Sequence, residues 1–494
     1  MLRFLAVLAV LLHVGPRAFS AEPPLWLAVG PADLLKAIEP LVEHRRAEGI
    51  ETILSSLPPD EAVAAAPRLP DFLVLVGDTA PGAENKPWYV PTMRRPFHGW
   101  QGKHRPEFVS DFAWGGLDSR GVPRVATGRL PVRTVAEAGN LARKIVAWER
   151  QPISSLSLPM WAGDPLYSPE YTERFMSFLF GQVQKNAPAW LEPWVLSGDA
   201  KHSLAGPFEQ QARLFDDRTS RGAIFTGMIG HGLTDSFLSL RLGRRKLGYN
   251  LADARALTEG PPRPPHVIFA CQAGNFNLAK DRCLAEELVL APAGPVLCIA
   301  ATEDSHPLPN FYTATSLLQK VSETEGSGRF GTLWLDAQRA ARRRNDTLYE
   351  LLLRDAEGRL KKGRADVELI KTDQAAIYAI IGDPATRFHM PQKLQARTMK
   401  TDTGWTWEVT PPPGAVRLRI ESRATSPEFP VRPANANEAQ LTGIFEAASS
   451  LLQFQPLATL KAGQPWRGEL TAPGIVRLIA ETASGLYVAG FDLR

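Results

Sequence analysis

Short apolar runs, each stopped by a glycine or a polar side chain and followed by an amphipathic stretch, constrain this chain more than any other feature of its sequence. Such alternation is the pattern of strands and helices in an α/β domain whose sheet is covered on both faces. Leu25 to Val29 reads as a strand, Leu34 to Arg46 as a helix, and Phe72 to Val76 as a buried parallel strand ending at Gly77-Asp78. A polar stretch rich in Pro, Trp and Arg fills residues 79–109. Val125 to Val132 then leads into a helix from Val135 to Arg150, and a first α/β subdomain closes near Gln151-Pro152.

A second α/β unit is expected, with strands at Met160–Ala162, Trp194–Leu196, Ala223–Ile229, His266–Ala270 and Pro295–Ala301. Its helices are expected at Pro169–Gln184, Phe208–Asp217, Leu284–Leu290 and Phe330–Arg343, and it closes near Gly382-Asp383-Pro384. Beyond Gln392 the pattern changes to period two, as in Trp405-Thr406-Trp407-Glu408-Val409 and Val416-Arg417-Leu418-Arg419-Ile420, interrupted by proline-rich turns. That alternation predicts an all-β sandwich of immunoglobulin-like type. The expected organisation is residues 1–20 as a removed signal, 21–151 and 152–391 as two α/β subdomains, and 392–494 as the sandwich.

At 494 residues the chain is longer than one hydrophobic core usually organises, which agrees with several domains. A formal charge of +4, spread along the chain, is too small for a nucleic-acid footprint. Arg3 precedes an apolar run from Phe4 to Val14, and Ala18-Phe19-Ser20 offers small residues where a signal peptidase cuts. That run falls short of the roughly 20 residues a membrane-spanning helix needs. The mature chain is therefore expected without a membrane span, outside the cytoplasm: secreted, periplasmic or on the cell surface.

Three cysteines, Cys271, Cys283 and Cys298, make an odd count, so at least one thiol should be free. Two strand ends carry reactive side chains: Ile224 to Ile229 runs into Gly230-His231-Gly232, and Val267 to Ala270 into Cys271-Gln272-Ala273-Gly274. Parallel sheets bind ligands beyond the carboxyl ends of their strands, so neighbouring strands would bring imidazole and thiol to one rim. Cysteine peptidases need a thiolate, a histidine that moves a proton to the leaving amine, and backbone donors for the oxyanion. The N–H groups of Gly232 and Cys271 are candidates for those donors.

A His-Gly strand end followed by an Ala-Cys strand end resembles the gingipain-type cysteine peptidases of family C25 and the wider caspase-like clan. The resemblance runs from about residue 70 to 387. It includes Phe72 to Asp78, Ser110-Asp111, Val125 to Val132 (VATGRLPV), Trp148-Glu149-Arg150, Leu284 to Leu288, Gly294 to Thr302 and Ile381 to Ala385. It implies a caspase-like parallel-sheet α/β fold in two subdomains, acting on protein or peptide substrates through a thioester. Cys271 is then the nucleophile and His231 the general acid and base. Asp164 is the candidate for orienting the histidine, and Glu170 for binding a substrate side chain. No cofactor is expected, and structural calcium follows by family analogy, with Asp111 and Asp118 among the loop carboxylates. Asn275 stands where the family commonly has Asp, and Arg241 to Lys246 form a basic insertion.

A serine hydrolase would want a Gly-x-Ser-x-Gly elbow and a zinc hydrolase a His-Glu-x-x-His motif, and neither occurs. The remaining alternatives are a non-catalytic binding scaffold on the same fold and a transpeptidase acting on exported proteins. The sequence leaves the oligomeric state open.

Overall fold

The computed structural model describes residues 22–97, 107–153, 155–164, 181–182, 185–242, 245–324, 326, 328–347, 350–351, 367–471 and 473–493. The signal segment 1–20, Glu170 and most of the helix expected over 169–184 lie outside the described residues.

The strands before the C-terminal unit are, in chain order, β1 (Leu25–Val29), β2 (Glu51–Ser55), β3 (Phe72–Val76), β4 (Met93–Pro96), β5 (Glu107–Ser110), β6 (Ala126–Leu130), β7 (Ser157–Ala162), β8 (Glu192–Ser197), β9 (Thr226–Ile229), β10 (His231–Leu233), β11 (Ser236–Leu242), β12 (Arg245–Asn250), β13 (His266–Phe269), β14 (Leu297–Ala301), β15 (Gly328–Arg329), β16 (Tyr378–Gly382) and β17 (Arg387–Phe388). Ten of them form one sheet in the order β2-β1-β3-β6-β16-β14-β13-β9-β7-β8, so a single sheet runs through both α/β units. The blocks β2-β1-β3-β6 and β14-β13-β9-β7-β8 are each internally parallel, and β16 enters between them antiparallel to β14. Loops beyond the carboxyl ends of the two blocks touch each other. Arg282 forks onto Glu137 at 2.9 Å, and the Arg129 guanidinium lies 5.1 Å from the Phe276 ring centre. These contacts join the segments that follow the two blocks.

Unbroken apolar strands are explained by burial on both faces. Trp26 and Ala28 of β1 join the main core, while Leu27 and Val29 face a smaller core with Ala62, Leu73, Leu75 and Val125. The helix expected over Leu34–Arg46 is in fact two, Ala32–Ala37 and Glu39–Ala47, broken at Ile38. Pro40 is the reason: it has no N–H to continue the first helix, and its fixed φ suits the first turn of a new one.

A buried ion-pair node ties the ends of the α/β region together. Arg45, fully buried, donates to Glu149 at 2.7 Å through both terminal nitrogens and to Asp383 at 2.7 and 2.9 Å. Trp26 Nε1 donates to Asp383 at 3.0 Å and His44 pairs with Glu149 at 2.8 Å. The Trp148-Glu149-Arg150 and Gly382-Asp383-Pro384 signatures thus hold the fold and lie away from any chemistry. A second buried arginine, Arg129, forks onto Asp111 at 2.8 and 2.9 Å and donates to the carbonyls of Gly77 and Val90.

The C-terminal unit packs a five-stranded sheet, β18 (Gln392–Lys393), β25 (Gly485–Leu493), β24 (Gly474–Thr482), β21 (Ala415–Arg423) and β22 (Gln455–Lys461), on a three-stranded one, β19 (Ala396–Thr401), β20 (Gly404–Val409) and β23 (Arg467–Leu470). Between them lie Leu394, Trp407, Leu418, Ile420, Trp466 and Leu478. A helix, Glu438–Ser450, interrupts the expected all-β pattern; Asn437 and Gln440 form its capping box, a signal legible in the sequence. This helix sets Phe445 5.8 Å from Trp194 on edge strand β8, and Arg477 bridges Glu421 and Glu192 at 2.7 and 3.4 Å.

Burial alone would push the Glu149 carboxyl up, but Arg45 and His44 hold it down at about 2 against an ordinary 4.5. A depressed carboxylate contributes stability above its unfolded value and loses it as pH falls through its folded one. Acid should therefore weaken the fold between about pH 4.5 and about 2. Arg45→Met, which strands two buried carboxylates, should lower stability to urea at neutral pH by about 3–5 kcal/mol and blunt that acid loss.

Candidate active site

Strand β9 lies between β7 and β13, and its register aligns Ala162, Ile229 and Phe269 in one row across the sheet. Asp164, His231 and Cys271 each sit two residues beyond that row. The row continues past the regular ladder, because Gly163 N–H donates to Ile229 O at 2.7 Å and Gly230 N–H to Phe269 O at 3.1 Å. Parallel register alone thus brings three of the expected residues to one rim.

His231 opens β10, which pairs antiparallel with β11 and leaves the central sheet. Strand β11 crosses the strand ends: Asp164 N–H donates to Ser239 O at 2.6 Å, and Ser239 Oγ accepts from Trp161 Nε1 at 2.6 Å. The crossing requires small residues beneath it. A Cβ on Gly163 would stand 2.9 Å from Leu238 O, and one on Gly230 3.0 Å from the Phe237 ring. On Gly232 it would fall 2.8 Å from Ala270 Cβ and closer still to the carbonyl oxygen of Cys271. The Gly-His-Gly spelling is therefore a packing requirement that seats the histidine strand directly on the backbone of the Cys271 turn.

Cys271 is half-buried, and its thiol donates to Ser305 O at 3.7 Å. Gln272, immediately after it, has φ 55°, a left-handed conformation found in no other non-glycine among the described residues. Such strain costs on the order of 1–3 kcal/mol and persists only where neighbours enforce it. Here the enforcement is visible. Gln272 Nε2 donates to Asp304 at 3.0 Å and Glu303 at 3.3 Å, its N–H donates to Glu303 O at 3.3 Å, and Gly274 N–H donates to Ala301 O at 2.9 Å. Asn275 closes the turn with its N–H on Gln272 O at 3.0 Å. Burial first, then the Asp304 carboxylate, pushes the Cys271 thiol up to about 11. The free thiol is consequently protonated at neutral pH.

Cys283 and Cys298 are fully buried, and burial pushes both thiols up. Cys283 caps the helix Leu284–Leu290 and Cys298 lies inside β14, so neither meets solvent. All three cysteines are unpaired with each other. Gln272 and the Glu303-Asp304-Ser305 turn were not anticipated from the sequence. Their signal was present, because β14 also ends an apolar run in polar residues, Thr302-Glu303-Asp304. Of the two loop carboxylates considered for calcium, Asp111 has its oxygens against the Arg129 fork, and Asp118 accepts from the N–H groups of Arg120 and Val122. Both are engaged within the chain. His44, Glu48 and Glu149 bring ligating atoms within 4.8 Å of one another, but Arg45 already lies against both carboxylates. The basic insertion pairs Arg241 with Lys246 in the β11–β12 hairpin.

The mostly parallel sheet, followed by the C-terminal β-rich unit, is a fold shared with solved structures of gingipain-type cysteine proteinases. The crystal structure of the Arg-specific cysteine proteinase gingipain R (RgpB) matches with a TM-score of 0.52 at 12% identity, covering 96% of this chain and 98% of that one. The complex of Porphyromonas gingivalis RgpB pro- and mature domains matches with a TM-score of 0.50 at 12% identity, over 95% of this chain and 100% of that one. A further structure, described only as a protease, gives a TM-score of 0.51 at 12% identity over 95% and 98%. No curated protein sequence matches. The chain belongs to peptidase family C25, whose family model matches residues 60–389, and it is a cysteine-type peptidase, a hydrolase.

Gly232→Ala should force β10 off Cys271 and reduce turnover at least about a hundredfold, in line with losing an oxyanion donor or misplacing the reacting groups, with little change in far-UV circular dichroism. Alkylation by iodoacetamide, read by peptide mass spectrometry on the folded protein, should fall on Cys271 alone. Its rate should keep rising toward pH 11, and Asp304→Asn should shift that profile to lower pH.

Proposed function

We propose that the chain is an exported endopeptidase in which His231 and Cys271 form the catalytic pair. The observation that carries this reading is the shared register that seats both residues two positions beyond one row of strands, with Gly232 packed on the Cys271 backbone. Because the thiol is held neutral, it needs a base at the moment of attack. His231 accepts the Sγ proton as the sulfur bonds to the scissile carbonyl carbon.

The N–H groups of Gly232 and Cys271 receive the developing oxyanion. The two-residue turn Thr234-Asp235 makes Leu233 and Ser236 the bonded closing pair of its hairpin. Alternation then directs the Gly232 amide away from β11. His231 returns its proton to the leaving amine as the C–N bond breaks, and a thioester to Cys271 remains. Water, deprotonated by His231, hydrolyses that thioester and restores the thiol. Asp164, two residues beyond the same row, is the candidate to orient His231. Export rests on the apolar N-terminal run; no helix among the described residues is long and apolar enough to cross a membrane.

The test is labelling with a peptidyl acyloxymethyl ketone panel bearing Arg, Lys, Asp or apolar terminal side chains. Modification confined to Cys271, lost in His231→Ala, together with loss of turnover in Cys271→Ala at unchanged melting temperature, is the expected result. Absence of labelling by every probe in the folded, reduced protein would favour a binding scaffold.

A further inference from the structure

Resting on that reading, we propose that Leu233, with Leu238 beside it, forms an apolar subsite for the leaving side of the substrate, so that cleavage favours large apolar residues directly after the scissile bond. Side chains alternate along a strand, so His231 and Leu233 project from one face of β10 and Gly232 from the other. Residues directly opposite in an antiparallel pair share a face, and the register sets Leu238 against His231 and Ser236 against Leu233. The partner of Gly232 is Phe237, which is fully buried with its ring 5.4 Å from that of Trp161. That burial fixes which face is inward. The opposite face, carrying His231, Leu233 and Leu238, looks outward, and Leu233 is 44% exposed.

An isolated exposed leucine on a protein surface needs no explanation. This one lies two residues from the imidazole and on its face, where one occupant is dictated by the chemistry. A histidine that protonates the leaving amine must lie against the scissile nitrogen, so the peptide continuing from that nitrogen passes over the surface that carries the histidine. Leu233 and Leu238 give that surface its apolar part, beside His231 and Ser236, and it is held in place. The hairpin turn is tied to the helix beyond the nucleophile turn by Leu284 N–H donating to Thr234 O at 2.8 Å. A side chain fixed in this way loses little freedom when a substrate covers it.

The experiment digests a proteome-derived peptide library with the purified protein, reads cleavage sites by mass spectrometry, and measures kcat/KM for two peptides that differ only in Leu or Ser after the scissile bond. Enrichment of Leu, Ile, Phe and Met at the first one or two leaving-side positions is expected. The Leu-to-Ser ratio of kcat/KM should fall roughly tenfold in Leu233→Ser, the scale of an apolar pocket contact, and be kept in Leu233→Met. An active wild type with no leaving-side preference, or a ratio unchanged in Leu233→Ser, overturns the subsite. If the wild type cleaves neither the library nor an aminocoumarin amide, the catalytic reading itself fails, a separate result.

Discussion

The hydrogen-bond register of the parallel strands β7, β9 and β13 is the constraint on which the site depends. Parallel ladders fix not only which strands are neighbours but the level at which each one ends. Once Ala162, Ile229 and Phe269 share a row, the residues that follow them reach the rim at one height. A slip of one residue would turn each side chain to the opposite face. The small residues at these strand ends serve the same constraint from the other side, since Gly163, Gly230 and Gly232 leave the space through which the histidine hairpin crosses.

Most of the remaining signature residues maintain that sheet. Glu149 and Asp383, far apart in sequence, meet on one buried arginine together with Trp26, and Asp111 meets Arg129 in the same way. Buried ion pairs of this kind add little net stability compared with apolar packing, but they penalise arrangements in which one partner is missing. Their place in this fold is to fix the order of elements around β16, where the two parallel blocks join.

The Cys271 turn is built under tension between access and control. Gln272 takes a left-handed backbone that turns the chain sharply after Cys271, and the carboxylates that hold Gln272 also raise the neighbouring thiol. A protonated thiol is slow to alkylate or oxidise without a base. The C-terminal unit docks on side chains of edge strand β8, Phe445 against Trp194 and Arg477 against Glu192.

Sequence by itself determined the alternation of strands and helices, the two strand ends that carry His231 and Cys271, and the change to period two after Gln392, because each is a local pattern of apolar and small residues. Pro40 was equally local, and its helix break could have been read from the chain. What only the tertiary structure decided is which strand ends lie side by side, that one sheet serves both α/β units, and that Gly232 rests on the Cys271 backbone. It also decided that the Cys271 thiol is buried and that Asp304, 33 positions away, adds to the upward push on it. These are contacts between distant segments, and no local period encodes the crossover that brings them together.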